Sequence, residues 1–203
     1  MRLDGNLNRR EFVFGATVAL AFPLLSCSGK AVAERLESMG RWKTVIVSDN
    51  EPGQPLIVSG RIFAPDGKTP LEGITLSVYQ TDATGVYSTT GRNGDNRDTR
   101  IHGSMRTNAE GRYEFRTIKP GSYPRTRNPA HIHAYVSGPD YPEYWIDEYL
   151  FDDDPFVENE VRNRLGNKGS FSSVLKLTKG SDGILYAVRD IVIERCGKNC
   201  TGR

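Results

Sequence analysis

The sequence is poor in cysteine and histidine, with three of each among 203 residues, and its formal net charge is only +2. So small a charge points to no nucleic acid and to no acidic partner. Neither a repeat nor a low-complexity run occurs along the chain. Hydrophobic residues make up 37%, with 21 glycines and 11 prolines. This composition favours a turn-rich globular domain over a disordered chain.

The first 26 residues are typical of an export signal. The segment NRREFVFGATVALAFPLLSC places Arg9 and Arg10 before a short apolar run that ends at Cys27. Paired arginines of this kind mark the twin-arginine route. Because the run is short and is broken by Pro23, it would span a bilayer poorly. We therefore predict that residues 1–26 are an export signal and that the chain is periplasmic or extracytoplasmic.

The cysteines agree with an exported chain. LLSC resembles a lipobox, in which Cys27 becomes the lipidated first residue and attaches the protein to a membrane; a plain cleaved signal is the alternative. Cys196 and Cys200 remain in the C-terminal tail, residues 196–203. Outside the cytoplasm such a pair is expected to form a disulfide, although half of a zinc site is the alternative.

Residues 44–195 have the pattern of a β-rich domain. Short runs with polar–apolar alternation are bounded by Gly, Pro, Asn or Asp turns. The runs are KTVIVSD, PLIVSGRIFA, GITLSVYQTD, GRYEFRTI, HIHAYVSG, SSVLKLTK and YAVRDIVIE. The pattern predicts an all-β fold, an antiparallel β-sandwich with long connecting loops and one or two short helices.

Two segments are the best helix candidates. One is residues 31–40, within a linker at 27–43, and the other is residues 154–166. In the second, Asp154 is a candidate N-cap and Pro155 suits the first helical turn.

Two of the three histidines, His131 and His133, lie one residue apart in RNPAHIHAYVSG. In a strand, residues i and i+2 project to the same face, so both rings can reach one metal ion while Ile132 points into apolar packing. Histidine is a common ligand of zinc, copper and iron. Two ordinary polar residues on a solvated sheet face are the alternative, and a metal site needs further ligands.

The flanking sequence carries a family resemblance. RTIKPGSYP, followed by PAHIHAYVSG, resembles the signature of the intradiol ring-cleaving catechol dioxygenases, which include catechol 1,2-dioxygenases and protocatechuate 3,4-dioxygenases. Upstream, the segment that ends in GVYS and the segment HGSMRTNAEGRYEF are similar to earlier parts of the family. Downstream, EYLFDDDP and YAVRDIVI are similar to its later parts. The resemblance covers residues 56–194, in the family's order, and indicates an atypical exported member.

The resemblance implies one mononuclear Fe(III) site held by two tyrosinates and two histidines, here Tyr87, Tyr123, His131 and His133. It implies a catechol-type substrate, O₂ as co-substrate, and a cis,cis-muconate-type product. Tyr123 is expected to leave the iron and take up a proton. Fe³⁺ favours anionic oxygen donors, and its charge strongly depresses a tyrosine pKa from about 10.

Two positions expected to act in catalysis depart from the family. Asn128 stands where arginine is usual, and Glu148 stands where glutamine is common. An amide stabilises developing negative charge much less than a cation does, and Arg125 and Arg127 are the nearest substitutes. A carboxylate at Glu148 repels an anionic substrate unless it is protonated or paired. We expect the acidic run that holds Glu148 and Asp154 to be a solvated loop.

Other classes stay open. A transthyretin-like binding module would share the sandwich, but it gives no reason for the two tyrosines and two histidines. An iron-binding relative without ring-cleavage activity, and copper or zinc at the same histidines, are further alternatives. Members of the family often dimerise through an N-terminal helical region, which leaves a homo-oligomer open.

Overall fold

The structure is a computed structural model that describes residues 42–87, 99–166 and 168–195. The predicted export signal, Cys27, the helix candidate at 31–40 and the Cys196–Cys200 pair lie outside the described residues. In the ranges that are described, no helix is long and apolar enough to cross a membrane.

The described residues form twelve strands, one α-helix and one 3₁₀ helix. The strands are β1 (Lys43–Val45), β2 (Pro55–Phe63), β3 (Thr75–Gln80), β4 (His102–Arg106), β5 (Arg112–Ile118), β6 (His131–Gly138), β7 (Tyr141–Trp145), β8 (Tyr149–Phe151), β9 (Val174–Leu175), β10 (Thr178–Lys179), β11 (Leu185–Val188) and β12 (Ile191–Val192). The α-helix is α1 (Asn159–Leu165), and the 3₁₀ helix is Gly169–Phe171.

The strands assemble into two sheets that share one core. The first sheet has the order β1-β5-β2-β11-β10, with β12 also paired to β2. The second has the order β4-β3-β6-β8-β9, with β7 also paired to β6. Both sheets bury apolar side chains in one cluster, which includes Leu56, Val58, Leu76, Val78, Tyr113, Phe115, Ile132, Ala134 and Val136. The prediction of a mostly β sandwich is therefore confirmed.

Strand direction, however, is mixed, so the purely antiparallel prediction is wrong in this respect. The central pairs β2–β5 and β3–β6 are antiparallel, but β1–β5, β2–β11, β2–β12 and β8–β9 are parallel. Parallel neighbours need a long crossover rather than a hairpin. Between β8 and β9 that crossover includes α1, and the other parallel partners are also far apart in sequence.

The predicted helix at 154–166 is shorter than expected. It begins at Asn159, its N-cap is Glu158 without a side-chain cap bond, and none of its residues is buried. Asp154 instead accepts a hydrogen bond from the Phe156 N–H at 2.8 Å, which fixes a tight turn ahead of the helix. The prediction that Asp154 is a helix cap is therefore wrong.

Strand β6 lies in the middle of the second sheet, between β3 and β8. Ile132, Ala134 and Val136 point into the core and are fully buried. Alternation therefore places His131 and His133 together on the opposite face. Packing of these residues in the core holds β6 in place. It therefore fixes the backbone positions from which both imidazoles extend.

Candidate metal centre

Four side chains meet at the end of the sandwich where β6 begins. Tyr87 lies in the loop after β3, Tyr123 lies in the loop before β6, and His131 and His133 lie on β6 itself. The Tyr87 and Tyr123 Oη atoms are 2.8 Å apart, and Tyr123 Oη lies 3.1 Å and 3.4 Å from the Nε2 atoms of His131 and His133. The two Nε2 atoms are 3.1 Å apart.

Hydrogen bonds behind the rings orient both imidazoles. His131 Nδ1–H donates to the Pro129 carbonyl at 2.7 Å, and His133 Nδ1 lies 2.9 Å from Glu148 Oε1. Because a carbonyl and a carboxylate can only accept, the proton of each neutral ring is assigned to Nδ1. Both Nε2 lone pairs then point into the cluster.

This geometry fits a single metal ion. Bonds of about 2.0–2.2 Å separate neighbouring ligand atoms by roughly 2.8–3.6 Å, and the pair distances given above fall in that range. Two nitrogen lone pairs 3.1 Å apart repel each other unless positive charge lies between them. Two phenolic oxygens and two imidazoles are a donor set suited to a hard, highly charged cation.

The Tyr87 phenol is shielded from water in a way that favours its neutral form. Burial raises the pKa of Tyr87 far above its usual value, and the hydrogen bond to Tyr123 raises it further. Such a phenol ionises only beside a strong positive charge, which a metal cation supplies.

Two glycines bring the tyrosine loops into contact. Each lies two residues before a tyrosine, Gly85 in GVY and Gly121 in GSY. A Cβ on Gly85 would meet the Ser122 carbonyl oxygen at 1.8 Å, and a Cβ on Gly121 would meet the Gly85 amide nitrogen at 2.6 Å. The two backbones therefore touch, and no side chain fits between them.

Asp154 joins three segments around the site. Its carboxylate accepts hydrogen bonds from the Ala130 N–H at 2.7 Å, directly before His131, and from the Phe156 N–H. The Ser122 hydroxyl, beside Tyr123, also donates to Asp154 Oδ2 at 3.4 Å. The side chain is only 5% exposed, so this part of the acidic run is not the solvated loop that the sequence predicted.

Glu148 lies behind His133 rather than at the centre of the cluster. In the β6–β8 register, His131 faces Leu150 and Ile132 faces Tyr149, so one further step places Glu148 opposite His133. The hydrogen bond from His133 holds the pKa of the Glu148 carboxyl below its usual value, against the opposing effect of burial. The sequence led us to expect that a carboxylate here repels an anionic substrate unless it is protonated or paired. The structure shows that Glu148 is paired, with His133.

Aromatic rings that sequence reasoning missed surround His133. Tyr79, directly opposite on β3, stacks on the imidazole with ring centroids 4.6 Å apart at 22°. Trp145 meets both of these rings edge-on and is nearly half exposed. Alternation along VYQ gives the face that Tyr79 occupies, but only the strand pairing shows that it lies beside His133.

Asn128 does not join this cluster. Its side chain is exposed, and its backbone N–H donates a hydrogen bond to the Thr126 hydroxyl at 3.3 Å. Arg127 lies over the ring of Phe156, 5.6 Å from the centroid, and Arg125 is exposed at a positive φ of 61°. The catalytic role of Asn128 stays a prediction.

Comparison with known proteins identifies the family of the chain. A sequence profile described as Dioxygenase matches residues 34–183, about three quarters of the chain. Catechol 1,2-dioxygenase 2 of Acinetobacter lwoffii is 32% identical over 132 residues, covering 54% of this chain and 47% of the relative. The protocatechuate 3,4-dioxygenase beta chain of Burkholderia cepacia is 33% identical over 123 residues, covering 55% and 51%. The chain belongs to the intradiol dioxygenase family.

A solved structure extends the likeness to the fold. The dioxygenase domain of a dioxygenase carbohydrate-binding protein fusion from Streptomyces sp. SirexAA-E superposes with a TM-score of 0.57 at 27% identity. The match covers 74% of this chain and 86% of that one. The chain spans about half the length of the curated relatives that it matches.

Proposed function

We propose that this protein is a non-haem Fe(III) intradiol dioxygenase. It would insert both atoms of O₂ into a catechol ring, between the two hydroxyl-bearing carbons, to give a cis,cis-muconate-type product. The observation that carries the proposal is the convergence of two phenolic oxygens and two imidazole Nε2 atoms, with neighbouring distances of 2.8–3.4 Å. Membership of the intradiol dioxygenase family gives independent support.

Tyr87, Tyr123, His131 and His133 would hold the iron, as two anionic and two neutral donors. When bound, ferric iron supplies the charge stabilisation and electron delocalisation that open a catechol to O₂. The chain keeps the donors in place before substrate arrives. His131 is anchored to the Pro129 carbonyl, and His133 is held between Glu148 and the face of Tyr79.

Tyr123 is best placed to handle a proton. Its Oη contacts Tyr87 and the Nε2 atoms of both histidines, so it is the shared neighbour of the other three donors. A catechol has to lose two protons to bind through both oxygens. We assign one of these protons to Tyr123 Oη, in agreement with the role that the family resemblance implies.

The decisive experiment is to measure metal content, the optical spectrum and oxygen uptake on the purified chain. We expect one iron per chain, a visible tyrosinate-to-iron charge-transfer band, and oxygen uptake with at least one of catechol, protocatechuate and hydroxyquinol. The product should absorb as a muconate-type diacid rather than as a semialdehyde. Zinc or copper without the band would contradict the proposal, and coloured iron without uptake on a wide panel of catechols would indicate a relative that does not cleave the ring.

We also propose that residues 1–26 direct export by the twin-arginine route and that Cys27 is lipidated, on the basis of the sequence. Replacing both arginines, Arg9→Lys/Arg10→Lys, should leave the chain in the cytoplasmic fraction, because the route requires that pair. Arg2→Lys is the matched control and should be exported normally.

Cys27→Ser should move the exported chain from the membrane fraction to the soluble fraction; unchanged fractionation would exclude lipid attachment.

A further inference from the structure

The two histidines of the cluster have unequal partners. His131 Nδ1–H donates to a neutral backbone carbonyl, at 2.7 Å from Pro129 O. His133 Nδ1–H donates to a carboxylate, at 2.9 Å from Glu148 Oε1. A negatively charged acceptor makes the imidazole a stronger electron donor at its other nitrogen. The two Nε2 donors are therefore chemically different, although they lie on one strand.

The position of Glu148 follows from the sheet. It directly precedes β8, whose register with β6 places it across from His133. Its side chain is 45% exposed, against 18% for His133, so the carboxylate reaches the ring from the solvent side.

We propose that Glu148 is a positioning residue that acts through His133 Nδ1, strengthens Nε2 as a donor and biases the site toward ferric over ferrous iron. The inference rests on the proposed function, because it concerns the redox preference of that same site. It assigns to this chain a charged partner at a position where the family resemblance leads one to expect an amide.

A direct-ligand role for Glu148 is the main alternative. His131, His133 and Glu148 form a group whose candidate ligand atoms all lie within 4.8 Å of one another, which resembles the two-histidine, one-carboxylate set of ferrous oxygenases. Glu148, however, contacts Nδ1, whereas Nε2 of the same ring faces Tyr123. One ion cannot bind Nε2 and Glu148 together unless the His133 ring turns over.

Two substitutions separate charge from hydrogen bonding. Glu148→Gln keeps an acceptor for Nδ1–H and removes the charge, whereas Glu148→Ala removes both. Glu114→Gln is the matched control, because Glu114 makes an ion pair with Lys43 on the other sheet, 3.1 Å apart. The measurements are iron affinity by competition with a chelator, the wavelength of the charge-transfer band, and the Fe(III)/Fe(II) reduction potential.

Glu148→Gln should keep one iron per chain and its colour, move the band to longer wavelength, and raise the reduction potential. Each tenfold loss of ferric-over-ferrous preference corresponds to about 59 mV for one electron. Glu148→Ala should lower iron affinity by about 10–100-fold, as is usual when an outer partner of a ligand is removed. Glu114→Gln should change none of the three.

The outcomes distinguish this inference from the proposed function. If the parent chain has the charge-transfer band, and the band and the reduction potential are unchanged in Glu148→Gln, the proposed role of Glu148 is overturned. The proposed function is not affected by that result. Complete loss of iron in Glu148→Gln, equal to that in Glu148→Ala, would overturn it in favour of direct ligation. A parent chain that binds no coloured iron would overturn both proposals.

Discussion

The Tyr87→Phe/Tyr123→Phe double variant should lose the charge-transfer colour completely and fall below roughly one hundredth of the parent rate of oxygen uptake. It removes both anionic oxygens and leaves the metal two neutral imidazoles, which suit Fe³⁺ poorly. The rate bound is conservative, since loss of even an outer partner of a ligand commonly costs 10–100-fold. Absorbance and oxygen uptake of iron-loaded samples are the measurements.

Tyr135→Phe is the matched control for this experiment. Tyr135 also lies on β6 and has the same phenol, but its ring packs against Trp145 at 5.3 Å instead of joining the four donors. The control should keep both colour and uptake. Retained colour in the double variant would refute the assignment of Tyr87 and Tyr123 as ligands.

Gly85→Ala should destroy the site without touching any of the proposed ligands. Gly85 has a φ of +81°, and a Cβ there would lie 1.8 Å from the Ser122 carbonyl oxygen, next to Tyr123. The two tyrosine loops must separate, which breaks the 2.8 Å contact between Tyr87 and Tyr123. We expect loss of iron and of its colour, measured by metal analysis and absorbance of the purified variant.

Gly183→Ala separates backbone strain from the clash. Gly183 has the same φ of +81°, but a Cβ there would have no heavy atom within 4 Å apart from its chain neighbours. It should lose about 1–2 kcal/mol of unfolding free energy and keep its iron. Gly85→Ala should lose roughly 1–3 kcal/mol more, the usual cost of overpacking. Equal stability of the two variants, with iron retained in both, would contradict the argument.

Local pattern was enough to predict part of this site. Alternation along β6 predicts that His131 and His133 share a face, and the structure places them so, above the buried Ile132. The convergence of Tyr87 and Tyr123 on that face could not be derived from spacing. It was expected only because of the family resemblance, and the assignment of all four residues as ligands stays a prediction.

What the sequence did not predict depends on contacts between distant segments. The parallel pairs join strands of one sheet that are far apart in the sequence, and no alternation within a strand encodes such a partner. In the same way, Glu148 is beside His133 because of the β6–β8 register, and Asp154 reaches Ala130 because the chain folds back after β8. From the sequence, both residues are assigned to a solvated acidic loop, with Asp154 also a candidate N-cap and Glu148 also a position where the family has glutamine.

The cluster has a consequence for the durability of the protein. Tyr87 and Tyr123 are 36 positions apart in the chain, and Tyr123 is eight positions from His131. A cation shared by these side chains closes two loops at once, as a covalent cross-link would, and must be released before the chain can unravel. Iron binding and resistance to unfolding would thus depend on the same four donor atoms. Scarcity of iron would therefore lower both the activity and the lifetime of the protein.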